Sequence, residues 1–514
     1  MANDTAASGR PRRRSPGRER AARDTPTQVA VLTRHLRPYE MLDEETLDRL
    51  EATAETLLSE IGIEFRNDPP TLELWREAGA DVDGERVRFP RGLVRSILDQ
   101  NAPGQFTQHA RNPERSVIWG GAHTIFAPAY GSPFVTDADN GRRYASIDDF
   151  RDLVKLAYMA PWLHHSGGTI CEPVDVPVNK RHLDMVYSHL RYSDKPFLGS
   201  ITAPERARDS IDMARLVFGH DFVDDHCVTL GNVNANSPLT FDWMATATLR
   251  TYAAANQGMV VMPFILGGAM GPVTGAGTVA QALAETMVGC ALTQLVRPGA
   301  PCVLGAFLSS MSLQTGAPTF GTPEPAMAYL AMGQLARRLG LPLRMGGSLT
   351  ASKVADAQAA QESADSLMPT LLGGAHFVLH AAGWLESGLT MGFEKLMTDI
   401  DHLGAMHTLA QGFATDDNAL ALEAYREMGP GQHYLGCAHT MRNYQSAYYK
   451  SHLADNRPYE QWSEEGSEDM LTRAHRQWRQ WLAAYEAPPI DPGVDEALRA
   501  FVRQRRESMA DAWH

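Results

Sequence analysis

A (β/α)8 barrel of the TIM type, with an N-terminal cap and a helical C-terminal extension, is the fold class this sequence predicts. Three observations lead there: short apolar runs recur along the middle of the chain, each run ends in small and polar residues, and an amphipathic helical stretch follows each one. The runs close at HHSGGTI (His164 to Ile170), FLGSIT (Phe197 to Thr202), VTLGNVNANS (Val228 to Ser237), MVVMPFILGGAMG (Met259 to Gly271), CVLGAFLSS (Cys302 to Ser310), LRMGGSL (Leu343 to Leu349) and FVLHAAGWLE (Phe377 to Glu386). They lie roughly 30 to 40 residues apart, the length of one βα unit. HTIFAPAY, starting at His123, supplies a candidate eighth strand. The near-continuous apolar strand bodies suit a parallel sheet buried on both faces. An open doubly wound sheet is the alternative, but no GxGxxG motif closes a first βα turn.

Residues 1–28 read as a basic disordered tail, because RPRRRSPGRERAARD is rich in arginine and no hydrophobic segment of a secretory signal follows it. A basic arm that grips an acidic partner is the competing reading. Residues 29–160 are assigned to an N-terminal helical and β layer, with one possible barrel strand. It opens on a helix from Asp43 to Ile63, where Leu47, Leu50, Leu57 and Leu58 fall on one side and Gly62 ends the pattern. The strand-like RVRFP, a helix near Arg91 to Gln100 and the extended HTIFAPAYGSPFV complete it. Residues 161–430 form the predicted barrel core and residues 431–514 the helical extension. In the extension Trp462, Trp478 and Trp481 read as packing anchors, and the final helix, Val494 to Met509, as an exterior brace or oligomer contact.

A chain of 514 residues with 44% hydrophobic content can bury a large core. A formal charge of −14 argues against a nucleic-acid backbone or an anionic membrane as partner, since both need cationic surface. Cys171, Cys227, Cys290, Cys302 and Cys437 are odd in number and form no CxxC pair, which suits a reducing cytoplasm. No apolar run reaches the roughly 20 residues of a spanning helix. The expectation is a soluble cytoplasmic protein, a homo-oligomer, with a small molecule and another protein as partners.

In a barrel of this class the chemistry sits at the C-terminal ends of the strands. Those ends carry repeated glycines (Gly167, Gly168, Gly267, Gly268, Gly346, Gly347) and neutral polar groups such as Asn232, Asn234, Asn236, Ser309, Ser310 and Ser348. Each glycine alone is a tight turn; their recurrence suggests a mouth with room for a large planar cofactor. The adjacent His164 and His165 would point to opposite faces of a strand, so no metal site is expected. A corrinoid-carrying DxHxxG motif is missing, since Thr229 stands where glycine belongs after Asp224, Asp225 and His226, and no HxC zinc pattern occurs.

The run TGAPTFGTPEPAMAYLAMGQLARRLGLPLRMGGSLTASKVADAQAAQES, followed by GGAHFVLHAAGWLESGL, resembles the central portion of the trimethylamine methyltransferase family, as do GPGQHYLGCAHTMRNYQSAYY and RPYEQWSEEG its C-terminal region. The resemblance covers about Tyr39 to Arg473. It implies a barrel that docks a corrinoid carrier protein at its mouth and delivers a methyl group from a small methylated amine to cobalt(I), with the corrinoid supplied by that partner. The founding members carry pyrrolysine; this chain holds only standard residues, and the corresponding position falls near Lys353. Members without pyrrolysine include glycine betaine methyltransferases, so the expected substrate moves toward quaternary amines. Tertiary-amine transfer in the same family and a non-catalytic protein that binds methylated amines are the alternatives.

A quaternary ammonium already leaves as a neutral amine, so no acid catalyst is needed and positioning dominates. Aromatic faces hold such cations, each contact contributing roughly 0.5–2 kcal/mol. The candidates are Tyr130, Phe134, Phe264, Phe307 and Trp384, with Glu386 or Glu324 as countercharge. For a betaine carboxylate the candidate donors are His380, Asn234 and Ser348. Lys353 enters through the resemblance, and only His380 and Glu386 are candidates for a catalytic role. Against these stand plain readings: His380 as a satisfied core group, Trp384 as packing, Glu386 and Glu324 as helix-start residues, and Lys353 as surface. Replacing Trp384 by Ala is expected to weaken substrate binding without unfolding the chain.

Overall fold

The computed structural model describes residues 31–513, and the basic tail assigned to residues 1–28 lies outside them. Seven parallel strands form the barrel sheet. In spatial order they are His123–Phe126, Phe377–Leu379, Leu343–Gly346, Cys302–Gly305 (continuing as Phe307–Met311), Gly258–Leu266, Thr229–Ala235 and Phe197–Leu198. Residues 164–167 bridge the two edges without being a regular strand. The His164 amide donates to the Phe126 carbonyl at 3.0 Å, Ser166 N to Pro196 O at 2.8 Å, and Leu198 N to Gly167 O at 2.8 Å. These bonds leave no open edge, so HHSGGTI and HTIF take the places of two barrel staves.

Side-chain alternation sorts the barrel into an inside and an outside. Ile125, Leu198, Leu230, Val260, Val303, Phe377 and Leu379 fill the interior. The hairpin Gln105–Gln108/Val117–Gly120 plugs the N-terminal end: Trp119 packs on Phe377 at 4.5 Å, and Gln108 Nε2 donates to the Phe197 carbonyl at 2.9 Å. Outward residues such as Val261, Leu304 and Met345 meet the helices in the main core. Helix Gly275–Val296 lies between strand Gly258–Leu266 and the cap helices Glu44–Thr56 and Leu93–Asn101. Among the described residues it is the one helix long and apolar enough to cross a membrane, but most of it is buried in this core, which explains its composition. A Cβ on Gly289 would lie 2.4 Å from Val261, so only glycine lets helix and strand approach this closely.

Behind the barrel, helix Met470–Ala483 packs on Phe393–Gln411, with Trp478 against Phe393 at 5.0 Å. The last helix, Pro492–Glu507, lies on Arg181–Tyr192 and Pro204–Phe218, held by the buried Leu498 and by Arg505 and Arg506 paired to Asp209 and Asp184.

Candidate functional site

At the mouth, the tips of three barrel strands and the nearby Phe320 bring one aromatic cluster together. Phe264 and Phe307, in register on neighbouring strands, stack at 5.1 Å. Phe307 also meets Phe320, His380 and Trp384 at 6.2, 5.8 and 6.0 Å, and His380 lies 4.3 Å from Trp384. Trp384 is 6% exposed and its indole Nε1 has no hydrogen-bond partner among the described residues. Phe264, half-buried, and Asn234, exposed, mark the open side.

His380 is held in place by several bonds at once. Its backbone is left-handed, with φ 64°, a conformation that costs of order 1 kcal/mol or more and persists only when the surroundings impose it. Its amide donates to Pro128 O, its carbonyl accepts from Ser348 N at 2.9 Å, and the next amide, Ala381, donates to Ala127 O. The Ser348 hydroxyl donates to the Ala381 carbonyl at 2.8 Å. Ser348 therefore fixes His380 rather than offering its hydroxyl hydrogen to a ligand. The Tyr130 amide donates to His380 Nδ1 at 3.2 Å. An amide can only donate, so Nδ1 is the acceptor and the ring hydrogen sits on Nε2. Burial, then the nearby Arg344 charge, hold the imidazole well below its usual pKa, so it is neutral.

Arg344 is the residue that inspection of strand tips missed. It sits in the body of strand Leu343–Gly346, in register with Gly305 and the inward-facing Phe377, so its side chain enters the barrel below the cluster. It is 0% exposed. Its guanidinium centre lies 5.6 Å from the Phe307 ring; Nη1 donates to Ala306 O at 3.4 Å, while Nε and Nη2 have no hydrogen-bond partner among the described residues. Burial lowers its pKa to about 10, so it remains a cation, and among the described residues no carboxylate pairs with it. One signal was visible in the sequence, an arginine inside an apolar strand. Phe320 was not singled out either, whereas Asn232, one of the strand-end polar groups, is buried with an Oδ1 that has no partner among the described residues.

Other candidates fall elsewhere. Phe134 belongs to a separate small sheet with Gly141–Tyr144, Thr390–Gly392 and Trp384–Leu385, where Tyr144 stacks on it at 4.6 Å and the Arg142 guanidinium covers it at 3.5 Å. Its face is already occupied. Glu386 accepts from Arg142 Nε at 2.7 Å and from the Thr390 hydroxyl at 2.6 Å. Burial would raise its pKa, but the bonds from Thr390 and Arg142 outweigh that and hold it below its usual value. It is a paired structural carboxylate rather than a free countercharge. Glu324 is exposed in the first turn of helix Pro323–Leu339, beside a cavity of about 360 Å³ that it shares with Gly267, Ser310 and Thr322. Lys353 is exposed and bonds the Ala351 carbonyl. Tyr130 is half-buried, and desolvation pushes its pKa up to about 12.

The glycines need revision too. A Cβ on Gly168 would meet the Tyr130 ring at 2.8 Å, on Gly346 Leu349 at 2.7 Å, and on Gly347 Ala381 Cα at 2.6 Å. On Gly167 it would meet Pro128 at 2.8 Å. Their space is taken by the chain itself, so they let the strand tips close on one another instead of walling a planar group. Gly267 and Gly268 are less crowded, with nearest atoms at 3.4 and 3.5 Å. His164 and His165 point apart, the first toward His407 and the second toward Phe377 in the interior.

A closed barrel with buried polar groups converging at its strand tips is the build of an α/β-barrel enzyme. Comparison with known proteins narrows this. The family model for trimethylamine methyltransferase (MTTB) matches residues 8–510, and the chain belongs to that family of methyltransferases. It is 38% identical over 474 residues to the glycine betaine methyltransferase of Desulfitobacterium hafniense, covering 92% of this chain and 98% of that one. It is 26% identical to the trimethylamine methyltransferase MttB of Methanosarcina barkeri, over 88% of this chain and 92% of the relative. To the proline betaine:corrinoid methyltransferase of Eubacterium limosum it is also 26% identical, over 87% and 93%. Among solved structures, the monomethylamine methyltransferase of Methanosarcina barkeri aligns with a TM-score of 0.45 at 11% identity, over 90% of this chain and 97% of that one.

Proposed function

We propose that this enzyme takes a methyl group from a betaine, a quaternary ammonium that carries its own carboxylate, and passes it to a corrinoid held by a partner protein. The observation that carries the substrate class is Arg344. A fully buried guanidinium with two unpartnered nitrogens is costly unless an anion completes it. A betaine brings that anion attached to the cation that the aromatic cluster suits. The carboxylate would accept from Arg344 and from His380 Nε2–H as charge-assisted hydrogen bonds. The ammonium would then rest against Phe307 and Trp384.

This pairing sets a direction. Arg344 rises from below the cluster, so the carboxylate points into the barrel and the N-methyl groups face the mouth. In the transfer the methyl C–N bond breaks, its electron pair stays on nitrogen, and a neutral tertiary amine is left. No proton moves. His380, Arg344 and the aromatic faces therefore orient the substrate in line and keep water from it. A corrinoid on its carrier would supply the cobalt(I) nucleophile. The loops beyond the strand tips present exposed Trp243, Val273, Leu313, Val354 and Leu389 around the mouth, an apolar rim of the kind that receives a protein partner. The names of the Desulfitobacterium and Eubacterium relatives agree with this reading.

A panel assay with cobalt(I) corrinoid tests it. Glycine betaine or a related betaine should give the methyl–cobalt product, read by visible absorbance, whereas trimethylamine and tetramethylammonium, which bring no anion to Arg344, should react far more slowly. A preference for trimethylamine would point to tertiary-amine transfer, and failure of every betaine would overturn the proposal.

A further inference from the structure

On the outer flank of the barrel, helices Ile147–Met159, Arg181–Tyr192 and Pro492–Glu507 enclose a cavity of about 580 Å³ that shares no residue with the site at the mouth. Four guanidiniums line it: Arg151 from the first helix, and Arg499, Arg503 and Arg506 from the last. The last three follow one another at helical spacing, so they form one stripe of like charge along the helix face. Facing the four cations are two lining carboxylates, Asp184 and Glu507.

The pairing is uneven. Arg506 pairs with Asp184, Arg151 with Asp148 at 2.9 Å, and Arg499 with Asp495 at 2.8 Å. Arg503 is exposed, and among the described residues it has neither an ion pair nor a hydrogen bond, not even with Glu507 one turn on. Arg151 Nε and Arg506 Nε are shut away from solvent without a hydrogen-bond partner among the described residues. Arg499 is fixed in direction: its Nε donates to the Tyr187 hydroxyl at 3.1 Å, and that hydroxyl donates to Asp495 at 2.8 Å. The remaining wall is largely apolar. It is made by the half-buried Tyr187 and Tyr192, whose rings meet edge to face at 6.5 Å, and by Val502.

We propose that this groove binds a phosphorylated small molecule, with its phosphates on the arginines and its body against the two tyrosines. Guanidinium forks match phosphate oxygens two at a time and keep their charge, which suits a multiply charged anion. The cavity falls within the about 300–1,000 Å³ range of small-ligand sites. A purely structural role leaves the stripe unexplained, because three arginines in line on one helix face repel one another, and a bound polyanion relieves that. Such a ligand would bridge three helices and clamp the last one to the barrel. It would touch none of the residues at the mouth, so it would stabilise the chain without competing with a betaine.

Calorimetric titration of the full chain with ADP, pyrophosphate and adenosine as probes tests this. ADP should bind and raise the melting temperature. Pyrophosphate, which lacks the ring-bearing body, and adenosine, which lacks the phosphates, should each bind at least about 10-fold more weakly. Arg503→Ala, at an exposed and unpaired position, should weaken ADP binding about 10-fold and leave betaine binding as in the wild type. No binding of ADP at millimolar concentration, equal affinity for pyrophosphate, or an Arg503→Ala variant that binds ADP as the wild type does would overturn the proposal. So would displacement of ADP by betaine, or tighter binding of a glutamate-rich peptide, which would make the groove a protein-docking face.

Discussion

Replacing Arg344 by Met removes a charge while keeping most of the side-chain length, and the structure predicts opposite effects on binding and on stability. In the complex the guanidinium would donate charge-assisted bonds to the carboxylate, contributing about 1.5–3 kcal/mol. The variant should therefore bind glycine betaine about 10- to 150-fold more weakly. Tetramethylammonium, which lacks the carboxylate, should bind almost as before. In the free protein the same guanidinium is an unpaired buried cation whose pKa falls from 12.5 to about 10. That shift corresponds to about 3 kcal/mol of unfavourable burial, so Arg344→Met should be neutral or stabilising in a thermal melt. Calorimetric titration with both ligands and a melt of each protein supply the readouts. Unchanged betaine affinity, or a clear loss of stability with both ligands weakened equally, would make Arg344 a structural residue and refute the reasoning.

Other substitutions and pH changes should behave as follows. Trp384→Ala should lose about 3–5 kcal/mol of stability as well as betaine affinity, because the indole is buried rather than an exposed wall, while Trp384→Phe should retain most of both. Asp399→Asn should destabilise by about 3–5 kcal/mol, since Asp399 is the buried partner of Lys395 and also holds the Gly383 amide just before Trp384; chemical denaturation measures it. Burial lowers His189 and His376 to about 4 and places His164, His165 and His380 well below 6.5. The unfolded chain therefore takes up more protons once pH drops past about 6.5, so stability is full above that value and declines from there toward pH 4. At pH 5, His189 and His376 alone should each cost about 2 kcal/mol. A flat denaturation midpoint between pH 8 and pH 5 would contradict this.

The barrel was legible because its staves are apolar runs that end in small residues, a pattern set by burial on both faces of a parallel sheet. The irregular stave at residues 164–167 could be found for the same reason, although its hydrogen bonds are too few to make a regular strand. The cluster of Phe264, Phe307, His380 and Trp384 followed from one topological rule about strand ends. Glu386 and Phe134 did not, because their partner Arg142 lies far from Glu386 in sequence, and the left-handed backbone at Glu386 and Ser387 turns that carboxylate away from the mouth. Arg344 escaped notice since its role comes from depth inside the barrel, and depth is not written in spacing. The strand-end glycines looked like open room, but whether a neighbour fills the place of a missing Cβ depends on tertiary contacts.

A structure of the enzyme determined with glycine betaine bound is the sharpest test. The carboxylate should lie about 3 Å from Arg344 and His380 Nε2, with an N-methyl group turned to the mouth beside Phe307 and Trp384. A betaine bound the other way round, or outside the barrel with Arg344 still unpaired, would contradict it.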